Sequence, residues 1–477
     1  MLSVVRWRWS ARSIYILSRN VMRRRRSRVV ALLHGRRDLL LFILVMVLLG
    51  LFSLYGLGSA TPREEIVARQ VEQLCRLDRE EELTATDLLT RTTSPIYEGS
   101  VLLMHRVIDT GDEPISTAAL RIPTLLAAML LGVFFFIFVC RDRSRPIARL
   151  TLFFLIATPF FHYFIITGGP AMPGTLFGTL ALMVCHDMMA SVRKYPVGPI
   201  LICGVLLALT GLSVGAGGVV IPSLAMLLWG LLGSRSGVRG RLWIPIASVV
   251  LGVVLIALAA TIPGECHWLT PESGRWFSRG LWGCLLTLIP WGVVALMEEK
   301  KSSGMRYSLG HLSAEGLALL TIVSALVYNL ASGTSDPAPS LVVAPFVCLI
   351  AGEAFRSLLR CKPGRITTFA YVINILGLVL LGILVFVLVG PSDPVSALIS
   401  TLSGSDGAIA VAAMREAVRT HMALCLLLMV GPLIAALTMV YQRVRGSETK
   451  QAYCSILMVI LITLATDLPL LALVGSL

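Results

Sequence analysis

A succession of apolar runs dominates the chain, thirteen by our reading, each close to the length that crosses a lipid bilayer. A spanning helix needs ~20 apolar residues, because backbone polar groups in hydrocarbon can be satisfied only within the segment itself. The runs fall at residues 39–57, 119–140, 151–168, 171–190, 197–213, 216–233, 242–262, 280–297, 314–332, 339–355, 368–390, 421–441 and 452–474. Across 477 residues 56% are hydrophobic and 14% charged, with a mean hydropathy of +0.83. A soluble fold does not tolerate that balance. The expected class is therefore an all-α polytopic membrane protein with about thirteen transmembrane helices.

Charge sets the orientation. A net charge of +14 would suit a nucleic-acid partner, but the basic residues sit in short connectors between apolar runs. With the N-terminus inside, the inner segments hold 30 Lys/Arg against 8 Asp/Glu, and the outer side 11 against 19. Cytoplasmic connectors carry such an excess of Lys and Arg, and moving the register by one span would invert most of it. The reading is thus a multi-pass protein of a bacterial inner membrane, N-terminus cytoplasmic and C-terminus periplasmic, with the lipid bilayer as partner and no nucleic acid.

Two units follow. Residues 1–37 carry eleven arginines and no acid, a basic cytoplasmic segment beside the first span, which reads as a signal anchor. Residues 38–477 form the transmembrane domain. Within it, 59–118 make a first periplasmic loop, and the polar stretch from Ser59 to Ile122 gathers 12 of the 27 acidic residues. In that loop Arg63–Leu77 places Ile66, Val67, Val71, Leu74 and Leu77 on one helical face, opposite charged residues. That is the pattern of a helix lying at a membrane interface. A second amphipathic stretch covers Val101–Ile108. Of ten cysteines, Cys75 and Cys266 alone fall in outer loops, which leaves a disulfide open.

Several stretches, taken in order, resemble the GT-C membrane glycosyltransferases, in the branch of lipid A aminoarabinose transferases and protein O-mannosyltransferases. Arg63–Gln70 (REEIVARQ) is similar to the family's interfacial helix after the first span. Ser94–Leu102 (SPIYEGSVL) resembles its proline–proline–aromatic element, with Tyr97 as the aromatic. Gly111–Met129 keeps Glu113, Arg121 and Pro123 in register with the start of the family's second span. Ala157–Met172, Ser213–Pro222 and Ala331–Gly352 follow at matching places. The departures are specific. The family's Asp-Glu pair is replaced by Ala60-Thr61 or, in a shifted register, Arg63-Glu64. The lysine before the prolines reads Thr93, the Arg-Pro-Asp element reads Gly169-Pro170-Ala171, and the lysine of the Lys-Gly loop reads Val214. The lysine expected near Ser332 is missing as well.

The resemblance implies an enzyme: a glycosyltransferase moving a sugar from a polyprenyl-phosphate-linked donor to an envelope acceptor (lipid A, another glycolipid, a polysaccharide or a protein). Such a transfer needs a carboxylate to take the acceptor's proton and cationic donors for the departing phosphate. Candidate bases are Glu64, Glu65 and Glu98. Candidate substrate-binding residues are Arg63, Arg69, Tyr97, Arg121 and Asp467, the last an acid within an apolar span, where a charge is costly and by default functional. No cofactor is firmly implied, no metal ligands are assigned, and a need for a divalent metal is left open. Neither a phosphate-binding glycine loop nor a hydrolase motif occurs. The lost family charges keep a second class open, an inactive GT-C-like scaffold or binding protein of envelope glycan assembly.

Overall fold

The computed structural model describes residues 62–80, 84–108, 114–158, 161, 164–165, 168–190, 197–233, 242–261, 314–332 and 338–358, with isolated positions at 40, 43, 44, 47, 291, 437, 438 and 441. The basic segment 1–37, the spans expected beyond 358 and Asp467 lie outside the described residues. Every regular element within them is helical: α1 (Pro62–Glu80), α2 (Ala85–Arg91), α3 (Pro95–Ile108), α4 (Thr117–Asp142), α5 (Arg145–Ile156), α6 (Ala171–Ala190), α7 (Val197–Gly233), α8 (Trp243–Ala260), α9 (Ala314–Ser332), a 3-10 turn (Ala338–Val342) and α10 (Val343–Leu358).

The three helices before α4 are short and amphipathic. Along α1 the buried Val67, Val71 and Leu74 recur at intervals of four and three, the spacing of one helical face. Val67 and Val71 pack with Tyr97, Val101 and Leu102 of α3 and Leu120 of α4. Cys75, partly buried, joins the edge of this cluster. α2 was not expected from the sequence, although its start carries a local signal. The Thr84 hydroxyl accepts from the Asp87 N–H, and the Asp87 carboxylate accepts from the Thr84 N–H at 3.1 Å. Such a capping box satisfies two donors that a helix start would otherwise leave unpaired. α3 begins six residues before the expected Val101, with Pro95 first, where a missing N–H costs nothing.

From α4 onward the helices are those of a bilayer. Five described segments are long and apolar enough to cross a membrane: Thr117–Asp142, Val197–Leu232, Trp243–Ala260, Ala314–Ser332 and Ala338–Ser357. Along α4 the exposed Leu126, Leu130, Phe134 and Ile137 form one stripe, while Ala128, Leu131, Phe135 and Phe138 face inward. Apolar residues on both faces are what lipid outside and protein inside require. α8 repeats the pattern with Ile246, Val250, Val253, Val254 and Leu258 exposed. Within the Ala338–Ser357 segment residues 338–355 are all buried, in the interior of the bundle, packed against α5 and α9.

α7 is two passes rather than one. Val214 and Gly215 leave helical geometry, Gly215 with φ 72° and ψ −159°. Cys203 Sγ then lies 3.9 Å from Met226 Sδ, whereas 23 residues of straight helix would separate them by about 35 Å. The chain folds back at Val214–Gly215, giving the expected pair 197–213 and 216–233. α5 is shorter than the expected span 151–168: regular helix ends at Ile156, and Ala157–Thr158 form a turn. Pro159 explains the break, since it carries no N–H and disfavours helical geometry in the residue before it.

At the end of the bundle where the basic connectors gather, charges pair across helices. Arg143, just past α4, has Nε 2.7 Å from Glu353 Oε1 of α10 and Nη2 3.6 Å from Glu315 Oε1 of α9. Arg141 meets Asp187 of α6, and Arg356 donates to Ser144. His186 stands between Asp142 and Asp187, its Nε2 and Nδ1 at 3.7 and 3.8 Å from them, with its ring stacked on Trp229. In the sequence these arginines read only as a topology signal. The matching signal was Glu315 and Glu353, two acids within apolar runs at the basic end.

Candidate functional site

At the opposite end of the bundle stand Tyr97, Glu98 and Arg121, three of the residues singled out for chemistry. Tyr97 and Leu102 of α3 and Leu120 of α4 are buried against Val67 and Val71 of α1, and Arg121 of α4 is buried beside them in sequence. The Tyr97 hydroxyl donates to the Leu120 carbonyl at 2.8 Å, tying the residue before Glu98 to the residue before Arg121. Arg121 is 1% exposed. It stands in the second turn of α4 and is enclosed by protein, whereas a long cation at a span end usually extends its charged head into water.

Glu98 is fully enclosed, and its two carboxylate oxygens have different roles. Oε1 accepts from the Thr93 N–H at 3.0 Å, the Thr93 hydroxyl at 2.9 Å and the Ser94 N–H at 2.8 Å. It therefore satisfies the free donors at the start of α3. Oε2 is buried with no hydrogen-bond partner. Burial pushes the Glu98 carboxyl above its ordinary range, against the pull of the Thr93 and Ser94 hydrogen bonds.

The other candidates are placed less closely together. Arg63, Glu64 and Glu65 occupy the first turn of α1, where acids also favour the helix dipole; their side chains are outside the described set. Arg69 is exposed on α1, on the side away from Val67 and Val71. Among the described residues no group of three or more metal-ligating side chains gathers.

Below this platform the helix ends close up around small residues. Gly168 and Gly169 adopt positive φ, 59° and 130°. The Gly169 N–H donates to the Thr124 hydroxyl at 3.2 Å, fixing the loop before α6 to α4. A Cβ on Gly174 would stand 2.7 Å from the Val214 methyls, and one on Gly217 2.8 Å from both Pro339 and the Tyr328 hydroxyl. The hairpin turn of α7 thus sits among the ends of α6, α9 and the 3-10 turn, and α7 also touches α3. At the positions where the resemblance expects charged groups, this chain has Ala171, buried, and Val214, packed.

This architecture, apolar spans under short amphipathic helices of a first loop, resembles the GT-C fold. Its likeness to solved structures bears this out over most of the chain. It is similar to ArnT from Cupriavidus metallidurans bound to undecaprenyl phosphate, with a TM-score of 0.59 and 16% identity over 91% of this chain and 76% of that one. It is likewise similar to the apo state of the same protein, with a TM-score of 0.58 and 15% identity at the same coverage. No protein-family model matches the chain, and no curated protein matches it.

Proposed function

We propose that the protein is an integral membrane glycosyltransferase that takes a sugar from a polyprenyl-phosphate carrier and transfers it to an envelope acceptor on the periplasmic face. The observation that carries this reading is the shared fold with ArnT bound to undecaprenyl phosphate, which extends over 91% of the chain. A carrier of that kind holds its phosphate at the membrane surface, so base and cation must stand at that depth. Glu64, Glu65 and Glu98 are the candidate bases, and Arg63, Arg69 and Arg121 the candidate phosphate ligands, with Tyr97 between them. Asp467 is a further candidate from the last span.

The test uses the full chain in lipid nanodiscs with undecaprenyl-phosphate-linked sugars and extracted envelope lipids, together with the glycan profile of a gene deletion. Transfer that falls ~10²–10⁴-fold in Glu64→Gln, Glu65→Gln or Glu98→Gln, each made singly, would identify the base. No binding of the carrier, with unchanged envelope glycans on deletion, would sink the reading.

One observation favours a second reading, a catalytically inactive scaffold of the same fold. Of the candidate residues whose side chains are described, Tyr97 and Arg121 are buried in packing, and one oxygen of Glu98 caps its own helix. A scaffold would bind the carrier without turning it over, and substitution of Glu64 and Glu65 would leave envelope glycans as they are.

A further inference from the structure

Near the last turn of α9, Asn329 is 1% exposed and its amide is unevenly used. Nδ2 donates to the Ala325 carbonyl at 2.7 Å and to the Ser340 hydroxyl at 2.8 Å. A backbone carbonyl can only accept, so the orientation of this amide is settled by chemistry. Oδ1 is therefore the atom pointing away, and it is buried without a hydrogen-bond partner. Ser340, also fully buried, spends an acceptor lone pair on Asn329 and keeps its own O–H to donate. Native interiors rarely leave such an acceptor empty.

The pair lies where α9, the 3-10 turn and the hairpin of α7 meet. Asn329 follows Tyr328, whose hydroxyl closes against Gly217, just past the hairpin turn, and Ser340 follows Pro339, which meets the same glycine. The hairpin helix also touches α3, so this corner belongs to the same end of the bundle as Tyr97 and Arg121. An unfilled acceptor beside an unspent donor is complementary to a group that both donates and accepts, and a sugar hydroxyl is such a group. A site built to hydrogen-bond a hydroxyl discriminates strongly against a ligand lacking it, because its buried polar atoms are then left unpaired.

We propose that Asn329 Oδ1 and the Ser340 hydroxyl form a subsite that reads a hydroxyl of the carrier-linked sugar. This rests on the polyprenyl-phosphate reading above. The probes are bare undecaprenyl phosphate and undecaprenyl phosphate bearing glucose, mannose or arabinose, each titrated against the full chain in nanodiscs. The wild type binds at least one glycosylated carrier more tightly than the bare one. Asn329→Leu weakens that glycosylated carrier about tenfold or more and leaves the bare carrier unchanged, which also certifies the fold. Ser340→Ala, a smaller change, does the same in milder form and decides the matter if Asn329→Leu does not fold.

Equal loss for bare and glycosylated carriers, or no loss for either, would mean that the acceptor holds an internal water and would overturn the subsite alone. So would a wild type that binds the bare carrier and none of the three sugars better. A wild type that binds no carrier at all overturns the carrier reading, and the subsite with it.

Discussion

The Tyr97 hydroxyl donates to the Leu120 backbone carbonyl at 2.8 Å, across 23 residues of sequence, with both residues buried beneath α1. That bond joins α3, a helix of the first loop, to α4, a membrane span. Tyr97→Phe keeps the ring and loses the bond, so it should cost about 1 kcal/mol of stability. Tyr97→Ala also empties the cluster around Val67, Val71 and Val101 and should cost about 3–5 kcal/mol. Thermal unfolding in nanodiscs measures both. Equal stability of Tyr97→Phe and the wild type would show that the bond contributes nothing.

Glu98 offers a pH signature. Its folded carboxyl titrates above its ordinary value of 4.5, so the folded state holds a proton that the unfolded state has already lost. Below the ordinary value both states are protonated. Stability should then decline as pH rises from there through the folded value, and level off above it. Glu98→Gln, which keeps an acceptor for Thr93 and Ser94, should flatten that decline. Glu98→Ala removes the cap and should destabilise by about 1–2 kcal/mol. Unfolding curves of wild type and Glu98→Gln with the same pH slope would contradict the assignment.

Arg143 and Glu353 pair at 2.7 Å, with Glu353 8% exposed. Removing the cation strands a buried carboxylate, so Arg143→Ala should cost on the order of 3 kcal/mol, the low end for buried pairs because Arg143 keeps some solvent. The double variant Arg143→Ala/Glu353→Ala should recover part of that loss. A double-mutant cycle without coupling would show that the pair is not what holds α4 to α10.

Gly215, at φ 72° and ψ −159°, occupies a backbone region that is essentially glycine-only. Gly215→Ala should cost about 1–3 kcal/mol. Gly217→Ala has a different fault, a Cβ 2.8 Å from Pro339 and the Tyr328 hydroxyl, and should separate the hairpin from α9. Thermal unfolding of each variant in nanodiscs measures both losses. Unchanged stability of Gly215→Ala would mean that the hairpin does not depend on that glycine.

The sequence by itself determined the membrane class, the places of the described spans other than 151–168, where the helix runs Arg145–Ile156, and which of their ends carry the positive charge. Hydropathy and connector charge act locally, so both can be read along one dimension. The α1 face at Val67, Val71 and Leu74 was legible for the same reason, and the Thr84–Asp87 capping box was present to be read. Only the tertiary structure decided the roles of particular side chains. Arg121 reads in sequence as a cation at a span entrance, and its burial follows from packing that is not local to α4. Glu98 reads as one loop acid among twelve, and its division into a bonded and an unbonded oxygen follows from where α3 begins. The pairing of Arg143 with Glu353, and of Asn329 with Ser340, joins residues on separate helices. Partner choice of that kind is set by how the helices pack against one another, which no local pattern encodes.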